Sequence, residues 1–196
     1  MNLASCFAVV AMAACIAGPA RADDVLLVKP LVERKVDTLP AGELYWRIQT
    51  YPTRDAATAA AGPYTLVAES GGQVWSFTLG PGGVQDAGAT KVADVGPIAR
   101  VSASHWLLRI NEATGPAGAV TPVHSHPGSE AFYVLSGRHS IRQVAGTLNV
   151  DAGRAEPGRG ADLAMQVSST GDAPLRSLVM FVVDADRPFS TPAALP

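Results

Sequence analysis

Glycine and proline recur at short intervals along this chain, 19 and 15 times in 196 residues. Between them lie short runs rich in Val, Leu, Ile and aromatic residues, for example residues 74–79, 105–110, 130–135 and 178–183. Such runs, bounded by turn-forming residues, are typical of β-strands. Many short strands at close spacing favour a β-sandwich or a β-barrel. The pattern therefore predicts an all-β fold.

One stretch departs from this pattern and favours a helix. Residues 53–61 are rich in alanine, which has the highest helix propensity. Thr53 is suited to the N-cap position, and Gly62 and Pro63 would end the helix. Because a run of alanines offers no large apolar face, the stretch predicts a short surface helix or a flexible loop.

The N-terminal segment has the features of an export signal. Residues 3–18 are apolar and uncharged, and the run is shorter than the roughly 20 residues that span a bilayer. Residues 20–22 read A-R-A, the A-x-A arrangement of a signal-peptidase site. We expect residues 1–22 to be a signal peptide cleaved after Ala22, and the protein to be periplasmic or secreted. Because Met1-Asn2 supplies no Lys or Arg, an uncleaved N-terminal anchor is the alternative.

The cysteine positions and the charge of the chain limit the kinds of ligand and partner that it can bind. Cys6 and Cys15 both lie in the signal segment, so the mature chain has neither disulfides nor thiolate ligands. The net charge is −2, and no basic stretch is present to neutralise a row of phosphates. We therefore expect no nucleic-acid partner. No second apolar run of spanning length follows, so we expect no membrane association after signal cleavage.

The residues best suited to bind a metal or to take part in catalysis lie close together in the sequence. His124 and His126 are two positions apart, so on a strand both imidazoles leave the same face. A turn at Pro127-Gly128 would bring Glu130 back beside them. Two neutral nitrogen donors and one carboxylate suit a divalent first-row metal that keeps open positions. The spacing therefore predicts a metal site with His124, His126 and Glu130 as ligands.

This segment resembles the first motif of the cupin superfamily, which is a Gly, five residues, His-x-His, three or four residues, Glu, six residues and a Gly. Gly118, His124, His126, Glu130 and Gly137 fill the five fixed positions. The resemblance implies a cupin β-barrel, a jelly-roll-like double-stranded β-helix, here with extra N-terminal strands. It also implies a divalent transition metal, with Fe, Mn, Zn, Ni and Cu as the alternatives.

The second cupin motif departs from the family pattern. Ser169 stands where that motif has Asn, and Met165 stands where it has the fourth ligand, a His. One interpretation is a site with three protein ligands and one more open position. In another, the Met165 thioether binds the metal and selects a softer ion such as copper. In a third, Met165 only fills the core beside the site.

Other residues are assigned by strand periodicity. Phe132 and Val134 share the face of Glu130 and are expected to line the apolar wall of the pocket. His139 follows Gly137 by two positions, and we expect it to be a solvated strand residue.

The resemblance covers residues 100–185, which we expect to form the cupin core. Residues 23–99 would be strands that extend or cover the barrel, and residues 186–196 a C-terminal tail. Cupins commonly pair through their outer strands, so a homodimer is one expectation.

The function stays open between two classes. In the first, the chain is a metal-dependent enzyme that acts on a small molecule, as an oxidoreductase such as a dioxygenase, or as an isomerase. In the second, it is a non-catalytic periplasmic protein that binds a metal or a small ligand. No general base is evident beside the ligands, which favours the second class. The well-matched first motif favours the first class.

Overall fold

A computed structural model of the protein describes residues 25–158 and 160–196. The predicted signal peptide, its cleavage site and both cysteines lie outside the described residues. The elements of the described chain are β1 (Leu27–Val36), β2 (Leu44–Tyr51), α1 (Arg54–Ala59), β3 (Thr65–Ser70), β4 (Gln73–Gly80), β5 (Thr90–Ile98), β6 (Trp106–Gly115), β7 (His124–Ser125), β8 (Gly128–Ser136), β9 (Arg138–Gln143), β10 (Gly146–Asp151), β11 (Ala155–Glu156), β12 (Met165–Ser169), β13 (Leu175–Asp184) and β14 (Thr191–Pro192).

Two five-stranded antiparallel sheets face each other and form a barrel. The first barrel sheet has the order β1-β6-β13-β8-β11, and the second has the order β10-β9-β12-β7-β14. Buried side chains from both sheets, among them Phe132, Ile141, Val167 and Val179, form the core between them. Alternate residues of each strand point inward, as the period of two requires. The predicted all-β fold is confirmed.

A third sheet covers the outer face of the first barrel sheet. Its order is β3-β4-β2-β5, and Trp46 and Phe77 from this covering sheet share a core with Leu108, Ile110 and Met180. Strand β13 is therefore buried on both faces. A strand covered on both faces is apolar almost throughout rather than at alternate positions, which accounts for the uninterrupted run LVMFVV in β13.

The N-terminal residues thus join the fold in two ways. Strand β1 pairs with β6 at the edge of the first barrel sheet, with Glu33 opposite Arg109. Strands β2 to β5 form the covering sheet.

The predicted helix is confirmed as α1, a single short helix whose N-cap Thr53 accepts a hydrogen bond from the Ala56 amide at 3.2 Å. Across the part of the chain described here, no helix is both long and apolar enough to cross a membrane.

The register of β6, β13 and β8 arranges their inward side chains in successive levels. These are Arg109, Phe181 and Glu130 (the Glu130 level); Asn111, Val179 and Phe132 (the Phe132 level); and Ala113, Ser177 and Val134 (the Val134 level). Adjacent levels are two residues apart, about 7 Å along the strand. The levels fix which side chains can meet inside the barrel.

Candidate metal and small-molecule site

The chain turns sharply between the two strands that carry the predicted ligands. His124 lies in β7, His126 follows it, and Glu130 lies near the start of β8. Gly128 lies against the backbone of β13, where a Cβ atom would collide with the Val182 carbonyl. The absence of a side chain there lets β8 pair with β13 immediately after the turn. As a result Glu130 Oε2 lies 3.9 Å from His126 Nε2.

Backbone carbonyls hold both imidazole rings. His126 Nδ1 donates to the Phe189 carbonyl at 2.6 Å, and His124 Nδ1 donates to the Pro122 carbonyl at 2.8 Å. A carbonyl oxygen only accepts, so the proton is on Nδ1 in both rings. This tautomer leaves the Nε2 lone pairs available to a metal, as carbonyl partners do in metal sites. The two rings meet edge to face with their centroids 4.9 Å apart.

Burial determines the charge states of Glu130 and His126. Glu130 is buried, and its Oε2 atom has no hydrogen-bond partner among the described residues. Desolvation raises the pKa of the Glu130 carboxyl to about 8. Desolvation also lowers the pKa of His126 to about 4, and the charge of Arg109 acts in the same direction. The 3.9 Å approach is therefore a contact between two neutral groups at neutral pH rather than an ion pair.

A cavity of about 580 Å³ opens beside these residues. This volume lies within the range of small-molecule sites. Phe132 lines the cavity together with Val167, Val179, Phe181 and Phe189. Val134 is fully buried one level further along β8 and packs in the barrel core. The cavity wall is thus largely apolar, with a small number of polar side chains.

The donor set can be tested against a metal ion. Within residues 25–158 and 160–196, no three His, Cys, Asp or Glu side chains lie close enough together, as placed, to hold a metal. Two donor atoms do approach each other, His126 Nε2 and Glu130 Oε2, and the His124 ring lies next to His126. Two imidazoles whose Nδ1 atoms are held by backbone carbonyls and a buried carboxyl oxygen without a partner fit a divalent first-row metal by donor type.

Met165 occupies a position next to the predicted ligands. Its Cα lies opposite that of His124 in the pairing of β12 with β7, and its side chain is buried in the barrel core. Together with Glu130 and Phe132 it lines a separate small space rather than the main cavity. The role of Met165 as a ligand stays a prediction.

The structure corrects the expectation for His139. Its side chain is fully buried and lines the main cavity. Nδ1 forms a hydrogen bond with Ser177 Oγ at 2.8 Å, and Nε2 has no partner among the described residues. The ring packs edge-on against Phe132 with the centroids 4.6 Å apart. Burial lowers the pKa of His139 to about 3, so the ring is neutral.

Two further site residues have no counterpart in the sequence analysis. Phe189 lies in the predicted C-terminal tail, yet its ring packs on His126 with the centroids 4.7 Å apart. Arg109 lines the cavity, and its guanidinium carbon lies 4.2 Å from the centre of the Phe189 ring. Sequence order gives no sign of this contact, because residues 186–196 are held at the site by contacts with distant parts of the chain, among them the pairing of β14 with β7 and the ion pair of Arg187 with Asp162.

The two facing antiparallel sheets, with Gly118 to Gly137 running through β7 and β8, define a cupin-type double-stranded β-helix. This confirms the predicted class of fold, with the covering sheet as an addition. No protein-family model matches the chain, and no curated protein sequence matches it either.

Solved structures of similar fold match part of the chain. A cupin-like protein from Thermotoga maritima aligns over 45% of this chain and 65% of its own, at 15% identity and a TM-score of 0.40. The DMSP lyase DddQ from Ruegeria pomeroyi aligns over 43% of this chain and 42% of its own, at 21% identity and a TM-score of 0.38. The polyketide cyclase RemF from Streptomyces resistomycificus aligns over 45% and 62%, at 23% identity and a TM-score of 0.37. The chain spans less than two thirds of each of these proteins, and the likeness concerns the fold alone.

Proposed function

We propose that this protein is an exported cupin that holds one divalent transition metal at His124, His126 and Glu130 and binds a small molecule in the adjacent cavity. The observation that carries the proposal is the buried Glu130 carboxyl, whose Oε2 has no partner among the described residues. Burying a carboxylate costs several kcal/mol unless a cation compensates it. A metal ion would supply the cation, and the Nε2 atoms of His124 and His126 would complete its protein ligands.

When bound, such a metal acts as a Lewis acid and offers open positions to an oxygen of the small molecule. The residues of the chain would serve this chemistry in separate ways. The carbonyls of Pro122 and Phe189 keep the protons of His124 and His126 on Nδ1. The aromatic wall excludes water and holds the apolar part of the ligand. An oxidoreductase such as a dioxygenase, or an isomerase, would use such a site.

A non-catalytic binding protein is the second candidate. One observation favours it: the titratable residues among the described cavity lining are the three proposed ligands, Arg109 and His139. His139 hydrogen-bonds Ser177 of the Val134 level, two levels from Glu130. The described lining therefore contains no separate general base at the Glu130 level. The choice between the two functions depends on whether a metal-loaded protein turns over a bound ligand.

Metal content tests the proposal directly. The purified protein is stripped with a chelator and titrated with Mn²⁺, Fe²⁺, Ni²⁺, Cu²⁺ and Zn²⁺, and its metal is measured by elemental analysis. We expect about one ion per chain in the wild type, and large losses in His126→Ala and Glu130→Gln. The matched controls are His105→Ala and Glu43→Gln, which change exposed residues and should keep the metal. A folded wild-type protein that takes up none of these ions would exclude the metal site.

Export and assembly need their own measurements. Full-length protein expressed in a Gram-negative bacterium should appear in the periplasmic or secreted fraction, with Asp23 as the N-terminal residue. Retention of residues 1–22 in the membrane fraction would instead support the uncleaved anchor. Light scattering of the purified protein tests the expected homodimer.

A further inference from the structure

The polar side chains of the cavity are not distributed evenly. Arg109 is the only described lining residue that is charged whatever the state of the proposed metal site. His139 lines the same cavity at a different level of the barrel. Between them the wall is mainly apolar, with Phe132, Val167 and Val179, and Asn111, whose Oδ1 already accepts a hydrogen bond from Arg109, is the polar side chain of the intermediate level. A ligand that satisfies both polar residues must therefore carry two polar groups joined by an apolar body.

Arg109 has part of its guanidinium available. Its Nε donates to Asn111 Oδ1 at 2.9 Å, and one Nη atom contacts Glu33 Oε2 at 3.2 Å. Among the described residues, no hydrogen bond or ion pair uses the second Nη atom. The Glu33 side chain is 55% exposed, so this ion pair is a weak competitor for another anion. The cation–π contact with Phe189, 4.2 Å from the guanidinium carbon to the ring centre, restrains the guanidinium. These contacts preorganise Arg109 to receive a carboxylate.

His139 offers the second polar group. Ser177 fixes its Nδ1, and the unpartnered Nε2 is shielded from solvent. A buried polar atom without a partner is unfavourable unless a ligand supplies the hydrogen bond. Because the Ser177 hydroxyl can either donate or accept, Nε2 can be an acceptor or a donor. A ligand hydroxyl matches either tautomer, since it has both a proton and lone pairs.

The levels of the barrel set the length of the ligand. Arg109 belongs to the Glu130 level, and His139 hydrogen-bonds Ser177, which lies opposite Ala113. Arg109 and Ala113 are four positions apart in β6, about 13 Å along the strand. The long Arg109 side chain shortens the gap that a ligand must span. A single aromatic ring with a short acid chain at one end and a hydroxyl at the other has the required form.

We propose that the cavity binds a small amphipathic carboxylate, with its carboxylate on Arg109, its apolar body along Phe132 and Val179, and a distal hydroxyl on His139. The proposal names the ligand class for the site under Proposed function and shares its cavity. Neither the Arg109 contact nor the His139 contact requires the metal, so the proposal holds for the metal-free protein as well. The two proposals can therefore fail separately.

Three related compounds test the class by calorimetry on the full chain in chelating buffer. They are phloretate, hydrocinnamate, which lacks the phenolic hydroxyl, and methyl phloretate, which lacks the negative charge. We expect phloretate to bind about tenfold or more tightly than its methyl ester, and several-fold more tightly than hydrocinnamate. Equal affinities for the acid and the ester would overturn the Arg109 contact. Equal affinities for the two acids would overturn the His139 contact, and the absence of binding by all three would overturn the proposal.

Variants assign each preference to its residue. Arg109→Met should lower the affinity for phloretate to that for the methyl ester, and should change the affinity for the ester by no more than about twofold. Arg109→Lys should retain part of the preference for the acid over the ester. His139→Leu should abolish the preference for the hydroxyl, and His139→Gln should restore part of it. An acid preference that survives Arg109→Met, or a hydroxyl preference that survives His139→Leu, would contradict the assignment. If a variant fails to fold, the comparison of the three compounds on the wild type still shows whether the cavity prefers a carboxylate and a hydroxyl.

Glu130→Gln separates this inference from the proposed metal site. This variant should lose the metal and retain the preference for the acid over the ester. A protein that binds metal but prefers no carboxylate would refute only the ligand class. A protein that prefers the carboxylate but takes up no metal would refute only the metal site.

Discussion

Ionisation of Glu130 should destabilise the metal-free protein, and Glu130→Gln should remove that effect. Burial raises the pKa of this carboxyl from 4.5 to about 8. The folded state therefore binds the proton more tightly than the unfolded state does. The stabilisation that this proton provides is complete below about pH 4.5 and is lost as the pH rises through about 8. Because one pKa unit corresponds to about 1.36 kcal/mol, the loss approaches roughly 5 kcal/mol above pH 8.

Urea unfolding in a chelating buffer, followed by tryptophan fluorescence, measures the effect. We expect the unfolding free energy of the wild type, relative to Glu130→Gln, to fall by about 1.4 kcal/mol per pH unit between about pH 5 and 8. The difference should then level off. His126 and His139 have pKa values lowered to about 4 and about 3, so both proteins lose stability below about pH 6.5. Their contributions are common to the two proteins and largely cancel in the difference.

Parallel pH curves for the wild type and Glu130→Gln would mean that the Glu130 carboxyl is not desolvated in the folded state, contrary to this prediction. Glu43→Gln changes an exposed carboxyl and should follow the wild-type curve. Saturating metal should reverse the order of stability, since an ion bound to the folded state stabilises only the protein that retains the carboxylate ligand. The reversal would connect the cost of the buried group to its proposed role.

Three other substitutions or truncations test single features of the site. Met165→His should raise the affinity for Mn²⁺ or Fe²⁺ relative to Cu²⁺, and an unchanged metal preference in a titration would exclude Met165 from the ligands. Gly128→Ala should lower the melting temperature strongly, because its methyl group collides with the backbone of β13; a change of less than about 1 kcal/mol in unfolding free energy would contradict the close approach. Removal of residues 186–196 deletes the Phe189 carbonyl that orients His126, and should weaken metal binding about 10- to 100-fold in a competition assay. Unchanged affinity in a folded truncated protein would show that this carbonyl has no such role.

The proposed ligands could be found from the sequence because they are local. His124, His126 and Glu130 lie within seven consecutive positions, and a strand, a Pro-Gly turn and a second strand suffice to bring them to one face. The inward direction of His139 was also visible in principle. Its neighbours Arg138 and Ser140 are polar, and Ile141 shares its face, so the period of two places His139 with the apolar residue. The expectation of a solvated residue, drawn from the position of His139 two residues after Gly137, disregarded this period and was wrong.

The contact between Arg109 and Phe189 could not be found in the same way. It joins strand β6 to residues 186–196, and the pairing of β14 with β7 that helps to hold this segment involves two residues of β14. No hydrophobic period or turn signal specifies so short a pairing. Met165 could be placed from the sequence only in part. The motif spacing predicts a position near His124, and the strand register agrees. Its side chain lines a small space together with Phe132 and Glu130, and this placement depends on packing in the barrel core, which spacing does not determine.

The covering sheet explains why Arg109 is easily missed. In a barrel strand with one solvated face, polar residues are expected outside and apolar residues inside. Strand β6 reverses this order, because Leu108 and Ile110 face the covering sheet and Arg109 and Asn111 face the cavity. The additional apolar layer lets the outer face of β6 be hydrophobic and frees its inner face to carry polar side chains. The N-terminal strands β2 to β5 contribute no described residue to the cavity lining, yet they make possible a barrel wall on which a cation and an amide face a ligand.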